Sequence, residues 1–286
     1  MEVLEREEWR ARAASHAARL DAYLVPHLAR REAGVKHPVH DFLFTYYSYR
    51  PAQLRLWHPG YGVALAGAPE YQGIKGYADG AVTAHHLESQ LRLVRGLRNL
   101  MVATASRPAH LGCFGLHEWA MVYQQSPEQL RHNGWPLRLG STGTDTVVER
   151  HRVVCSHFDA FRFFTEPARP LNLLSPGRDD REAFEQPGCL HVGMDLYKHA
   201  FRLSPLISSD LVVDCFELAW EIRTMDMRAA PYDLSGTTLD PSGEAWSPIE
   251  IETPGGKAEY VALQREYSER AAALRDALIT ACERLL

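Results

Sequence analysis

No stretch of about 18 uninterrupted apolar residues occurs in the 286-residue chain, so no segment reads as a membrane-spanning helix. The N-terminal MEVLEREEWRARAASH is charged from Glu2 onward and lacks the apolar centre of a signal peptide, and the expected location is cytoplasmic. Cysteine is scarce: Cys113, Cys155, Cys189, Cys215 and Cys282 stand singly, with no CxxC pair of the zinc or redox kind, so reduced thiols are expected. There is no excess of positive charge either. With 31 basic and 36 acidic residues the net charge is -5, which gives no global field for gathering phosphates, and nucleic acid is not the expected partner. Also missing are GxGxxG after a strand, GxxxxGK[ST], GxSxG and HExxH, which removes the familiar dinucleotide, P-loop, hydrolase-elbow and zincin readings. Neither an internal repeat nor a low-complexity tract stands out.

What remains is an ordinary globular balance of 45% hydrophobic and 23% charged residues. The expected fold is mixed α and β, helix-predominant, a single catalytic domain over 1–286 with a small sheet. Leu4, Trp9, Ala13, Leu20, Leu24 and Leu28 predict an N-terminal helix within 1–33, kinked at Pro26 and stopped by Gly34. A closing amphipathic helix is predicted over 258–286, packing on the first. Further helices are predicted over 84–105, across GLHEWAMVYQ, and over 189–203 and 209–228, with Ser209 as N-cap of the last. The aromatic stretch KHPVHDFLFTYYSYRP reads equally as short helix or strand. The glycine-rich 60–80 segment reads as loop, DTVVERHRVVCSHFDAFRFF as strand, and IEIE as a short strand in a Gly/Pro-rich region.

Histidine is abundant, with 14 residues, and several stand beside carboxylates. His191 and Asp195 are four apart, so on a helix they share a face and can grip one metal ion or form a surface contact. His157 and Asp159 are two apart; on a strand both would enter one pocket, where Asp159 fixes the second imidazole nitrogen. His117 and Glu118 are adjacent and splay by about 100 degrees on a helix, so one faces a given site while the other bonds to a neighbour or caps the helix. Together the three segments can assemble a two-histidine, one-carboxylate site of the kind that binds Fe(II) and leaves positions open for O₂ and substrate. His37, His40 and Asp41 form a further cluster, where Pro38 favours a turn or cap role, and His85-His86 reads as a solvated pair. Cys155 near His157 and Cys189 near His191 hint at a thiol nucleophile, but small buried cysteines are common.

The runs HPVHDFLFTYYSYRPAQLRLWHPG, GCFGLHEWAMVY, CSHFDAFRFFT, EQPGCLHVGMDLYKHAF and DMRAAPYDL resemble an actinobacterial family labelled 3-methyladenine DNA glycosylase, over about residues 36–265. No Gly/Pro-rich loop before a catalytic Asp, the helix-hairpin-helix glycosylase signature, is seen. The resemblance extends to a member of nucleoside-antibiotic biosynthesis, a non-heme iron enzyme that uses O₂ to rearrange the pyridine ring of a C-nucleoside. It implies Fe(II), O₂ and a small nucleoside-like substrate. On that reading His157, His191 and Asp195 are the first choices for metal ligands and His117 the reserve. Glu118, Asp159 and Lys198 would move protons or orient groups, and Phe161 and Tyr197 would contact substrate. The alternatives are a glycosylase that flips an alkylated base and uses Asp159 or Glu118 on water, and a nucleoside- or metal-binding protein without turnover.

Overall fold

The computed structural model describes residues 1–130 and 134–286. Along them run β1 (Glu2–Leu4), α1 (Arg6–Glu32), α2 (Phe42–Thr45), α3 (Pro51–Arg55), β2 (Val63–Leu65), β3 (Tyr77–Ala78), β4 (Ala81–Val82), α4 (Ala84–Ala105) and α5 (Leu116–Ala120). There follow α6 (Gly140–Arg150), α7 (Phe158–Phe161), α8 (Arg181–Phe184), α9 (Leu190–Leu203), α10 (Ser209–Arg228) and α11 (Pro254–Leu285). The fold is thus helix-predominant with one small sheet, ordered β1-β2-β4-β3, in which only β1 and β2 run parallel. Among the described residues no helix is long and apolar enough to cross a membrane.

The α9–α10 hairpin is the centre of the molecule. Residues 204–208 join the helices, and α10 is buried on most of its circumference through Val212, Phe216, Ala219, Trp220, Ile222 and Met225. A helix apolar nearly all round must be enclosed. It is enclosed by α9, by α11 and by α1, while α11 also lies along α4. A smaller cluster of Leu4, Trp9, Trp57, Leu65 and Tyr71 pins the sheet to the start of α1, where Trp9 Nε1 donates to the Ala66 carbonyl at 3.0 Å.

Several sequence expectations change. The glycine-rich 60–80 segment holds β2 and β3 and leads into β4, because Gly62, Gly76 and Gly80 take positive φ and let strands of two or three residues turn back on each other. Strands so short show no alternation. Residues 145–164 form no strand: α6 buries Thr144, Val147 and Val148 at helical spacing, and α7 follows a loop. IEIE is a loop whose Ile249 and Ile251 plug the core, with the Ile249 N–H donating to the Arg228 carbonyl at 2.7 Å. Of KHPVHDFLFTYYSYRP, Phe42–Thr45 is helical. Helix α1 runs through Pro26 to Glu32. Ser208, not Ser209, caps α10 by accepting from the Asp210 N–H. The final helix starts at Pro254, capped by the Thr253 hydroxyl, and packs chiefly on α4, α9 and α10, because its buried stripe of Tyr260, Ala271, Leu278 and Cys282 fits the core that α10 and α4 present.

Candidate metal centre

Three donors from three helices converge at one end of the hairpin. The 204–208 turn brings the start of α9 beside the end of α10, so His191 meets Asp226. Residue His117 arrives on α5, which the chain enters through Gly115 at φ +68°; a Cβ there would stand 3.3 Å from the Ala229 Cβ, so glycine permits both the turn and the approach. His117 Nε2 lies 2.9 Å from Asp226 Oδ1, the His117 and His191 rings stand 4.4 Å apart at 83°, and one ligand atom from each of the three residues lies within 4.8 Å of the others. Behind them, Cys113 Sγ lies 3.4 Å from His117 Nδ1, and Arg223 reaches Asp226 Oδ2 at 3.5 Å and donates to Glu118 Oε1 at 3.1 Å. His117 and Glu118 splay as neighbours on a helix must, one toward Asp226 and the other toward Arg223.

The electrostatics suit a cation. Burial by itself lowers the His117 pKa, but the Asp226 carboxylate and Cys113 outweigh it and hold the imidazole above its ordinary range. Burial raises Asp226, and His117 reverses this and keeps it ionised. For His191, burial and then the neighbouring His117 push the pKa well down, so its ring is neutral with a lone pair to offer. The His191 side chain makes no hydrogen bond among the described residues, and it lines the cavity. Two imidazoles and one carboxylate, each backed by an outer partner or open to the cavity, are a donor set that can hold a divalent metal ion.

Two further His/carboxylate groups fit a metal less well. His157 Nε2 lies 3.4 Å from Asp195 Oδ2 and 3.8 Å from Glu185 Oε1. Cations already fill this group: Arg181 reaches Asp195 at 2.9 Å and Glu185 at 2.5 Å, Lys198 bridges Asp195 and Asp159 at 3.1 Å each, and Tyr47 donates to the other Asp195 oxygen at 3.1 Å. Burial raises Asp195, and the bond from His157 and the Lys198 charge more than reverse it, so the carboxylate is ionised and fully engaged. Burial leaves Glu185 raised. In the third group, His37 Nε2 lies 2.9 Å from the Thr238 carbonyl, its Nδ1 accepts two backbone N–H groups at 3.2 Å, His40 Nε2 accepts the Asp240 N–H at 3.0 Å, and Arg30 holds Asp240 at 2.6 Å. That group clamps the 238–240 loop to the 37–41 turn.

A cavity of about 710 Å³ opens beside His191 and Glu118, within the usual size of a small-molecule site. Phe42, Tyr46 and Phe163 give it flat walls, and Asp159 and Arg162 stand on its rim. The sequence-predicted residues therefore divide. His117 and His191 share a donor set; His157 and Asp195 share a different one, although the His157 and His191 rings stack at 5.3 Å. One turn of α9 separates His191 from Asp195, and that turn is enough to aim them at different partners. Glu118 and Asp159 line the cavity, whereas Lys198 stands behind Asp159. Neither proposed substrate contact is a lining residue: Tyr197 is fully buried among Tyr47, Tyr49 and Phe216, and Phe161 packs on Phe164. Phe163, just past the end of α7, lines the cavity instead.

Sequence reasoning missed Asp226, Arg223, Glu185 and Arg181. A signal for the first two existed. Unlike Asp214, Glu217 and Glu221, the charges Arg223 and Asp226 fall at helical spacing from Phe216, Ala219, Trp220 and Ile222, and charges on that apolar face must meet partners. Comparison with family models, with curated proteins and with solved structures finds no match for this chain.

Proposed function

We propose that the chain is a mononuclear non-heme iron enzyme that uses O₂ on a small planar heteroaromatic substrate of the C-nucleoside kind, with His117, His191 and Asp226 as ligands. The observation that carries this reading is the convergence of two imidazoles and one carboxylate beside a cavity with aromatic walls. Ferrous iron held there would supply O₂ binding and electrons at the substrate ring. The protein's own part is positional. Phe42 and Tyr46, stacked at 4.8 Å, form one apolar wall for a flat ring. The Glu118 carboxyl, which burial pushes above its ordinary range against the pull of Arg223, can hold a proton at the cavity wall near the ring. Asp159, fixed by Lys198 and Arg162, presents a polar edge to the other side.

The test is anaerobic titration with Fe(II) and with Co(II) as a spectroscopic stand-in. About one metal per chain is expected, abolished by His117→Ala or Asp226→Ala while circular dichroism stays unchanged, since an open catalytic site need not be structural. No uptake by the unmodified protein overturns the reading. Release of free 3-methyladenine from alkylated DNA in the presence of chelator would replace it with a glycosylase.

A further inference from the structure

A second cavity, of about 490 Å³, adjoins the first and shares Lys36, Asp41 and Thr45 with it. Its charge is one-sided. Arg31, Lys36 and Arg50 are exposed residues on its wall, from the end of α1, the following loop and the start of α3, and none has a carboxylate partner among the described residues. Arg30, by contrast, is tied to Asp240 at 2.6 Å. The one acidic lining residue, Asp41, cannot neutralise the three cations, because it is already held by His27 at 3.0 Å and by the His37 N–H at 2.8 Å. Thr45 and Ser48 also line it, but their hydroxyls donate to the Asp41 and Thr45 carbonyls, so the three cations are what an anion would meet. In a chain of net charge -5, an uncompensated group of three cations beside the candidate centre is a local anion site.

We propose that this second cavity binds a phosphomonoester, so that the substrate of the adjoining site carries a sugar phosphate there while its ring lies against Phe42 and Tyr46. A dianionic, three-oxygen group matches three cations around one cavity better than a single carboxylate does. A polynucleotide would want a basic stripe continuing beyond the cavity, and the overall acidic balance offers no such field. The proposal rests on the metal-centre reading only for what fills the first cavity.

The experiment is a ³¹P NMR titration with D-ribose 5-phosphate as probe and D-ribose as competitor. Saturable binding with Kd at or below about 1 mM is expected, not displaced by ribose, and weakened at least about tenfold in Arg31→Ser/Arg50→Ser, whose exposed positions leave the fold intact. With Co(II) loaded, the probe's ³¹P relaxation should rise in the unmodified protein and return to its metal-free value in His191→Ala. Absence of saturable binding, or equal affinity in the double variant, overturns the proposal. A short single-stranded oligonucleotide binding more than about tenfold tighter than the probe also overturns it, in favour of a polynucleotide site. Probe binding without any Co(II) uptake leaves the anion site standing and removes the metal reading alone.

Discussion

Asp226 and Asp195 are both buried carboxylates near a histidine, yet their partners give them different work. Asp226 has one oxygen on His117 and the other 3.5 Å from Arg223, whereas Asp195 receives Arg181, Lys198, Tyr47 and His157. Replacing Asp195 by Ala leaves Arg181 on Glu185 and Lys198 on Asp159 but takes the acceptor from the Tyr47 hydroxyl and the nearest carboxylate from His157, and is expected to cost about 1–3 kcal/mol in a urea melt, with Co(II) affinity little changed. Asp226→Asn is expected to do the reverse, abolishing Co(II) binding with a smaller loss of stability. Equal Co(II) loss in both variants would make the His157 group part of the metal site. Cys113 acts through His117: its sulfur faces Nδ1 and so fixes Nε2 toward Asp226. Cys113→Ala should lower Co(II) affinity about 10- to 100-fold, as the loss of an outer partner does elsewhere, and Cys113→Ser should restore part of it and alter the Co(II) absorption bands.

Among the elements, the long helices were legible and the short ones were not. Helix α4 falls on the predicted 84–105 because a stripe running from Val94 to Thr104 repeats at helical spacing and Thr83 caps it, accepting the His86 N–H at 3.1 Å. α9 and α10 were legible for the same reason. Helix α6 was read as strand because Val147 and Val148 carry high strand propensity, which burial against α5 overrides. In the site, His117 and His191 stood out because they lie beside carboxylates in sequence. Their actual carboxylate, Asp226, lies 35 residues beyond His191 and becomes a neighbour only through the hairpin. The start of α11 gives an element-scale test. Gly256 sits directly on the Glu250 backbone, which an added Cβ would strike, so Gly256→Ala must push the helix off the 249–252 loop. A loss of about 1–3 kcal/mol is expected in urea, and a neutral result would show that loop to be free to shift.

At the scale of the whole molecule, several histidines are buried as neutral rings. Burial and the nearby His16 lower His58 to about 4, and burial lowers His199 to about 3. The unfolded chain, with ordinary values near 6.5, takes up these protons first as pH falls. Their contribution is therefore complete above about pH 7 and is lost on the way down to about 4, by up to ~1.4 kcal/mol per pH unit for each ring. The urea midpoint should decline steadily from pH 7 to 4, and His58→Gln should flatten part of that slope; a flat profile in the unmodified protein would show these rings already charged in the fold.

The three proposed ligands also sit on ground of unequal firmness. His191 and Asp226 belong to α9 and α10, long helices buried in the core, while His117 rides on α5, a helix of five residues held by its packing and by the Trp119 Nε1 bond to the Ala229 carbonyl at 2.8 Å. Amide hydrogens of α5 should accordingly exchange ahead of those in α10. Loss of a bound ion would then proceed by detachment of His117 first, leaving the ion on two donors, so that its residence time is set by the local opening of one short helix rather than by the stability of the protein.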